Sequence, residues 1–162
     1  MFGRPLVRAE VPEDREWKLA LLRERWGSEV MVTRGRALRD LSDAPAFVAE
    51  RRGKRAGLAT YCIEGEECEL TSLDAVQEGV GCGSALLRAV EDVARSAGCR
   101  RVCLITTNDN TKALRFYQRR GYVLAALQIN EMARIRELKP GIPEIGLDGI
   151  PLRDVLELEK TL

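Results

Sequence analysis

The sequence predicts an α/β (α+β) fold: a mixed, mostly antiparallel central sheet flanked by helices. Three observations lead there. Hairpin-like strands gather in the first half, strand–helix crossovers fill the second half, and an alternating strand closes the chain. A length of 162 residues suits one domain with a sizeable core and is short for two, so residues 1–162 are expected to form a single domain.

In order, residues 5–11 ("PLVRAEV") read as a short strand. "PEDREWKLALLRERWG" has proline and acids at its front, apolar residues at Trp17, Leu19, Leu21, Leu22 and Trp26, and Gly27 as a stop, which predicts a helix. Residues 29–33 ("EVMVT") are a strand, and "RGRALRDLSDAP" reads as a loop. "AFVAERRGKRAGLATYCIE" predicts two strands around the turn "RRGKR", and residues 66–76 form the next strand. In "GSALLRAVEDVARSAG" the apolar residues Leu86, Leu87, Val90, Val93 and Ala94 recur at three and four, which predicts a helix ending at Gly98. "CRRVCLITT" is β-branched, "NDNTKALRFYQRRG" is a capped helix, and "YVLAALQI" is a strand. Residues 130–151 read as part helix and part loop before the terminal strand "RDVLELEKTL".

The totals exclude several classes of function. Twenty-six basic side chains nearly cancel 25 acidic ones, which argues against a nucleic-acid or anionic-membrane partner. No apolar run approaches the ~20 residues of a membrane span, and charges interrupt the N-terminus by Arg8, unlike a signal peptide. Five cysteines (Cys62, Cys68, Cys82, Cys99, Cys103) form no CxxC pair and read as core thiols of a reducing, cytoplasmic compartment. Histidine is absent, which removes Ser-His-Asp and Cys-His catalysis and histidine-ligated metals; no metal is expected. A base working near neutral pH must then be a carboxylate, tyrosine, lysine, thiolate or water chain.

The segment 72–98 carries Gly79, Gly81 and Gly83 between a strand and a helix. A dinucleotide fingerprint fails on spacing and placement, and a Walker loop fails because the stretch has no lysine. Two explanations stay open. The glycines form either a sharp structural corner or an anion site, in which backbone N–H groups and the helix N-terminus face a pyrophosphate.

With the segment that follows, the chain resembles the GNAT superfamily of acetyl-CoA-dependent N-acetyltransferases. "EGVGCGSALL" is similar to that family's coenzyme A loop, Arg/Gln-x-x-Gly-x-Gly/Ala, and "NDNTKALRFYQRRGYVL" to its signature Asn-x-x-Ala-x-x-x-Tyr-x-x-x-Gly-Phe. The resemblance covers residues 66–124, with the first 65 residues agreeing in element order and the tail through its final strand. Gly81 and Gly83 fall on the motif glycines, which leaves Gly79 a lesser turn role. The resemblance implies that the backbone of Ala75 and Val76 bonds the pantetheine arm. It implies also that Glu78, Gly79, Val80, Gly81, Cys82, Gly83 and Ser84 cradle the phosphates. Glu78 departs from the motif's Arg or Gln; it is expected to point to solvent, with Gln77 covering part of the missing role.

Asn110 and Tyr117 fall on the Asn and Tyr of the second signature. The resemblance assigns Tyr117 as the general acid that protonates the departing thiolate, and for Asn110 cofactor contact and helix capping both stay open. Arg115, Arg119 and Arg120 are either a solvated face or contacts to a 3′-phosphate. Some members of the family carry a base glutamate at the place of Glu69. Asp74 is on the same strand with opposite parity, so only one of the two is expected to face the cleft; Glu69 is preferred.

The resemblance thus implies transfer of an acetyl group from acetyl-CoA to a primary amine by direct attack, with Cys82 packing instead of attacking. The acceptor would be a small-molecule or peptide amine, and the enzyme a monomer or homodimer. A non-catalytic acyl-CoA-binding sensor on the same fold is the alternative, favoured by Glu78. The acceptor pocket is expected from the N-terminal helix, the 29–46 loop and the 130–151 insertion, which is long enough to be a cover.

Overall fold

The computed structural model describes residues 3–162. It holds a mixed α/β fold with seven strands of mostly antiparallel sheet and four α-helices, and its chain forms two compact units, residues up to Val102 with Leu162, and Cys103–Thr161.

In the first unit, β1 (Leu6–Ala9), β4 (Ala46–Arg51), β5 (Lys54–Glu64) and β6 (Glu67–Ala75) run in the order β1-β4-β5-β6, each antiparallel to its neighbour. Helix α1 (Arg15–Trp26) follows a 3-10 turn at Pro12–Asp14 and stops at Gly27, whose φ of 78° is the left-handed conformation that glycine adopts without strain. Two short strands, β2 (Val30–Val32) and β3 (Leu38–Asp40), pair as a separate ribbon. β3 lies inside the stretch expected as loop, because "LRD" has no alternating apolar pattern; its pairing with β2 holds it. Leu21 and Leu22 of α1, Met31, Leu41, Ala46, Val48 and Leu58 form one buried cluster, so α1 and the ribbon cover one face of the sheet. Each leucine fully buried in this way contributes about 2 kcal/mol.

Helix α2 (Cys82–Ser96) packs on the other face through Leu86, Leu87, Val90 and Ala94. Its approach depends on Gly57 in β5. A Cβ there would lie 2.9 Å from Leu86 Cδ1 and 3.0 Å from the Asp74 carbonyl oxygen.

Pairing of β5 with β6 contains a bulge. Thr60 opposes Ser72 and Tyr61 opposes Leu70, which leaves Thr71 as the extra residue. The Thr60 hydroxyl bridges Thr71 Oγ1 at 2.7 Å and Ser72 Oγ at 2.6 Å. Leu58, Thr60 and Cys62 lie on one face of β5, so their partners Asp74, Ser72 and Glu69 share that face too. The bulge cancels the opposite parity expected for Glu69 and Asp74.

The second unit orders its strands β7-β9-β8, with β7 (Arg101–Thr107), β8 (Val123–Gln128) and β9 (Val155–Thr161). Helix α3 (Thr111–Gln118) follows β7, and α4 (Glu131–Leu138) opens the insertion. The rest of the insertion is stapled down. Asn108 Nδ2 donates to the Pro151 carbonyl at 2.9 Å, the Leu147 amide donates to Asp109 Oδ2 at 2.9 Å, and Arg136 Nη2 donates to the Pro143 carbonyl at 2.9 Å. Among the described residues no helix is long and apolar enough to cross a membrane, no disulfide forms, and no cluster suited to a metal ion occurs.

Candidate functional site

The first unit brings together the glycine turn, the end of β6 and the polar face that carries Glu69 and Asp74. β6 ends at Ala75, and the Val76 amide donates to the Ala56 carbonyl at 2.9 Å. That amide is committed within the sheet, so a ligand contact at Val76 falls to its carbonyl. Gly79 and Gly81 have φ of 76° and 83°, and Gly81 is the N-cap of α2. Gly83 lies within the first turn of α2, so the demand for glycine conformations falls on Gly79 and Gly81 and not on Gly83. The Ala85 amide donates to the Gly81 carbonyl at 3.1 Å and starts the helical ladder. Ahead of it, the amides of residues 82–84 occupy the helix terminus, where partial positive charge gathers. Glu78 is exposed, as expected, and Cys82 is buried. Burial pushes the Cys82 thiol up, opposite to what a nucleophilic thiolate needs.

On the polar face, Asp74 is 8% exposed and accepts a hydrogen bond from Trp26 Nε1 at 2.9 Å. Glu69 is half-buried and accepts the Arg34 amide at 2.6 Å. Burial raises both carboxyls above their ordinary range. For Glu69 the nearby Arg39 and Arg34 offset this in part, and for Asp74 the Trp26 bond and Arg25 do so. A half-buried carboxyl with a raised pKa is, once ionised, a stronger proton acceptor than an ordinary carboxylate.

The second unit holds the other expected residues. Asn110 caps α3, its Oδ1 accepting the Ala113 amide at 3.2 Å. Tyr117 is buried on α3, edge-on to Phe116 at 5.1 Å and to Tyr122 at 5.6 Å between ring centroids. Arg120 lies over the Phe116 ring at 3.7 Å, while Arg115 and Arg119 are exposed.

Residues 13–122 match the model of the acetyltransferase (GNAT) family. The chain belongs to the GNAT family. It is 44% identical over 138 residues to the uncharacterized protein YdhI of Bacillus subtilis, covering 85% of this chain and 86% of that one. Among solved structures, the IAA acetyltransferase of Bacillus cereus is 22% identical with a TM-score of 0.73, covering 97% and 100% of the two chains. A Bacillus subtilis acetyltransferase in complex with CoA is 20% identical with a TM-score of 0.73, covering 98% and 99%. These two share the GNAT fold with this chain.

Sequence reasoning missed three residues here. Gly57 sets the approach of α2, Trp26 holds Asp74, and Thr71 forms the bulge. Glycine in a strand was the one available signal, since an isolated strand glycine often marks close backbone approach.

Proposed function

We propose that this GNAT protein transfers the acetyl group of acetyl-CoA to a primary amine. The observation that carries the reading is the pair of left-handed glycines, Gly79 and Gly81, opening directly onto the N-terminus of α2. Residues 78–84 would hold the pyrophosphate through backbone amides, with Ala75 and the Val76 carbonyl beside the pantetheine arm. Asn110 caps α3 through its Oδ1 and would also contact the cofactor.

Acetyl-CoA supplies the thioester. The neutral amine nitrogen attacks its carbonyl carbon, the C–N bond forms, and the C–S bond breaks with the electron pair leaving on sulfur. Glu69 would take the substrate ammonium proton before attack, directly or through water. Tyr117 would give its hydroxyl proton to the departing sulfur, and the second proton, shed by the newly acylated nitrogen, would restore the Tyr117 hydroxyl through water. Partial exposure favours Glu69 over Asp74, which is more buried and bonded to Trp26. Five thiols fit a reducing, cytoplasmic setting. The acceptor would be a small-molecule or peptide amine.

A second reading, an acyl-CoA sensor without turnover, is favoured by Glu78 at a motif position that carries Arg or Gln. An assay of thiol release from acetyl-CoA against an amine panel, run beside calorimetry, separates the two. Release with an N-acetylated product supports transfer, and binding without release on any amine supports the sensor. Tyr117→Phe should lower kcat about a hundredfold with acetyl-CoA binding retained; unchanged turnover removes Tyr117 as the acid.

A further inference from the structure

The phosphate cradle has an electrostatic gap. Residues 76–84 contain one carboxylate, Glu78, and no basic side chain. A pyrophosphate brought there meets an acid where the family's pattern has Arg or Gln, and a carboxylate repels it at short range. Helix-terminus amides offset part of this, and a full positive charge would offset more.

We propose that Arg51, at the end of β4, supplies that charge and binds the pyrophosphate of the acyl-CoA, a role that rests on the function proposed above. Arg52 and Gly53 turn the chain between β4 and β5, both with positive φ (52° and 71°), and pair Arg51 with Lys54 across the hairpin. This turn brings Arg51 to the glycine loop: its Nη1 donates to Gln77 Oε1 at 3.1 Å. The same guanidinium acts at the other end of the loop, where its charge draws the Cys82 thiol down against burial. One cation is therefore coupled to both the start of the loop and the first residue of α2. A guanidinium presents its donors in a planar fork suited to phosphate oxygens. Gln77 acts here as a positioning residue, aligning Arg51 from the place next to Glu78.

Lys54 provides the control. It carries the same charge on the same turn but lines a different groove, about 460 Å³ in volume, with Arg8, Trp17, Glu50 and Arg55.

Calorimetric titration of CoA and of 3′-dephospho-CoA into wild-type protein, Arg51→Gln, Arg51→Lys and Lys54→Gln tests the assignment. Arg51→Gln should weaken both ligands about tenfold, as loss of a charge-assisted contact does, and Arg51→Lys should recover part of the loss. Lys54→Gln should stay within about twofold of wild type, as an exposed charge lining a different groove does. Thermal unfolding confirms that each variant is folded. Three results overturn the proposal: Arg51→Gln within about twofold of wild type, equal weakening by Lys54→Gln, or weakening of CoA alone, which would put Arg51 on the 3′-phosphate. If wild type binds neither ligand, the acyl-CoA reading itself fails and the proposal falls with it.

Discussion

Two regions of the first unit bury carboxylates, and they treat them in opposite ways. Asp14 is 0% exposed, yet it accepts Arg8 Nη1 at 2.7 Å, Arg8 Nη2 at 3.0 Å, Arg55 Nε at 2.8 Å and the Val11 amide at 2.9 Å. The Arg8 bonds above all hold its carboxyl far below the usual range. On the polar face, Asp74 accepts a neutral indole N–H and Glu69 a neutral backbone amide, and burial pushes both carboxyls up. A buried acid matched by two guanidiniums is fixed as an anion and serves the fold. A buried acid with only neutral donors in direct contact can change its protonation, a property that the proton transfer proposed for Glu69 requires.

The largest effect should come from breaking the matched region. Asp14→Asn leaves Arg8 and Arg55 without their shared anion and should cost about 3–5 kcal/mol at pH 7, read by denaturant unfolding. The pH dependence should follow. Because the folded pKa of Asp14 lies below its unfolded value, its stabilisation is complete above the unfolded pKa and is lost as pH falls through the folded one. The variant should lack this acid-sensitive component.

Gly57→Ala probes the unmatched region from behind. The new Cβ presses on Leu86 and on the Asp74 carbonyl, and should cost about 1–3 kcal/mol in stability. A fully stable variant would show that α2 can withdraw freely.

Asp74→Asn should show the smallest change and the opposite sign from Asp14→Asn. The folded pKa of Asp74 is raised, so the group favours the folded state below its unfolded pKa, and that contribution disappears as pH rises through the folded pKa. Asn keeps an acceptor for Trp26 without the buried charge, so unfolding at pH 7 should show no loss of stability. A loss comparable to that of Asp14→Asn would erase the distinction between the regions.

Much of this was legible in the residues. The order of helices and major strands followed from apolar periodicity and glycine stops, and the glycine turn followed from three glycines between a strand and a helix. The bulge at Thr71 was hidden, because an extra residue in one strand leaves the apolar–polar alternation intact while shifting the pairing. That shift placed Glu69 and Asp74 on one face and removed the choice that parity had posed. Gly83 matched the motif, yet the positive φ angles belong to Gly79 and Gly81. Motif spacing marks a position, and backbone conformation depends on where the helix begins. The insertion's length suggested a cover, but its anchors are Asn108 and Asp109, polar residues that had read only as part of a helix cap.

The most direct test of the account is the pH profile of kcat/KM for wild type and Glu69→Gln, with acetyl-CoA and the best amine of the panel. The account predicts a wild-type acid limb set by a carboxyl titrating above the ordinary 4.5, and in the variant a loss of about a hundredfold together with that limb. A Glu69→Gln protein that keeps both its rate and its acid limb would contradict it.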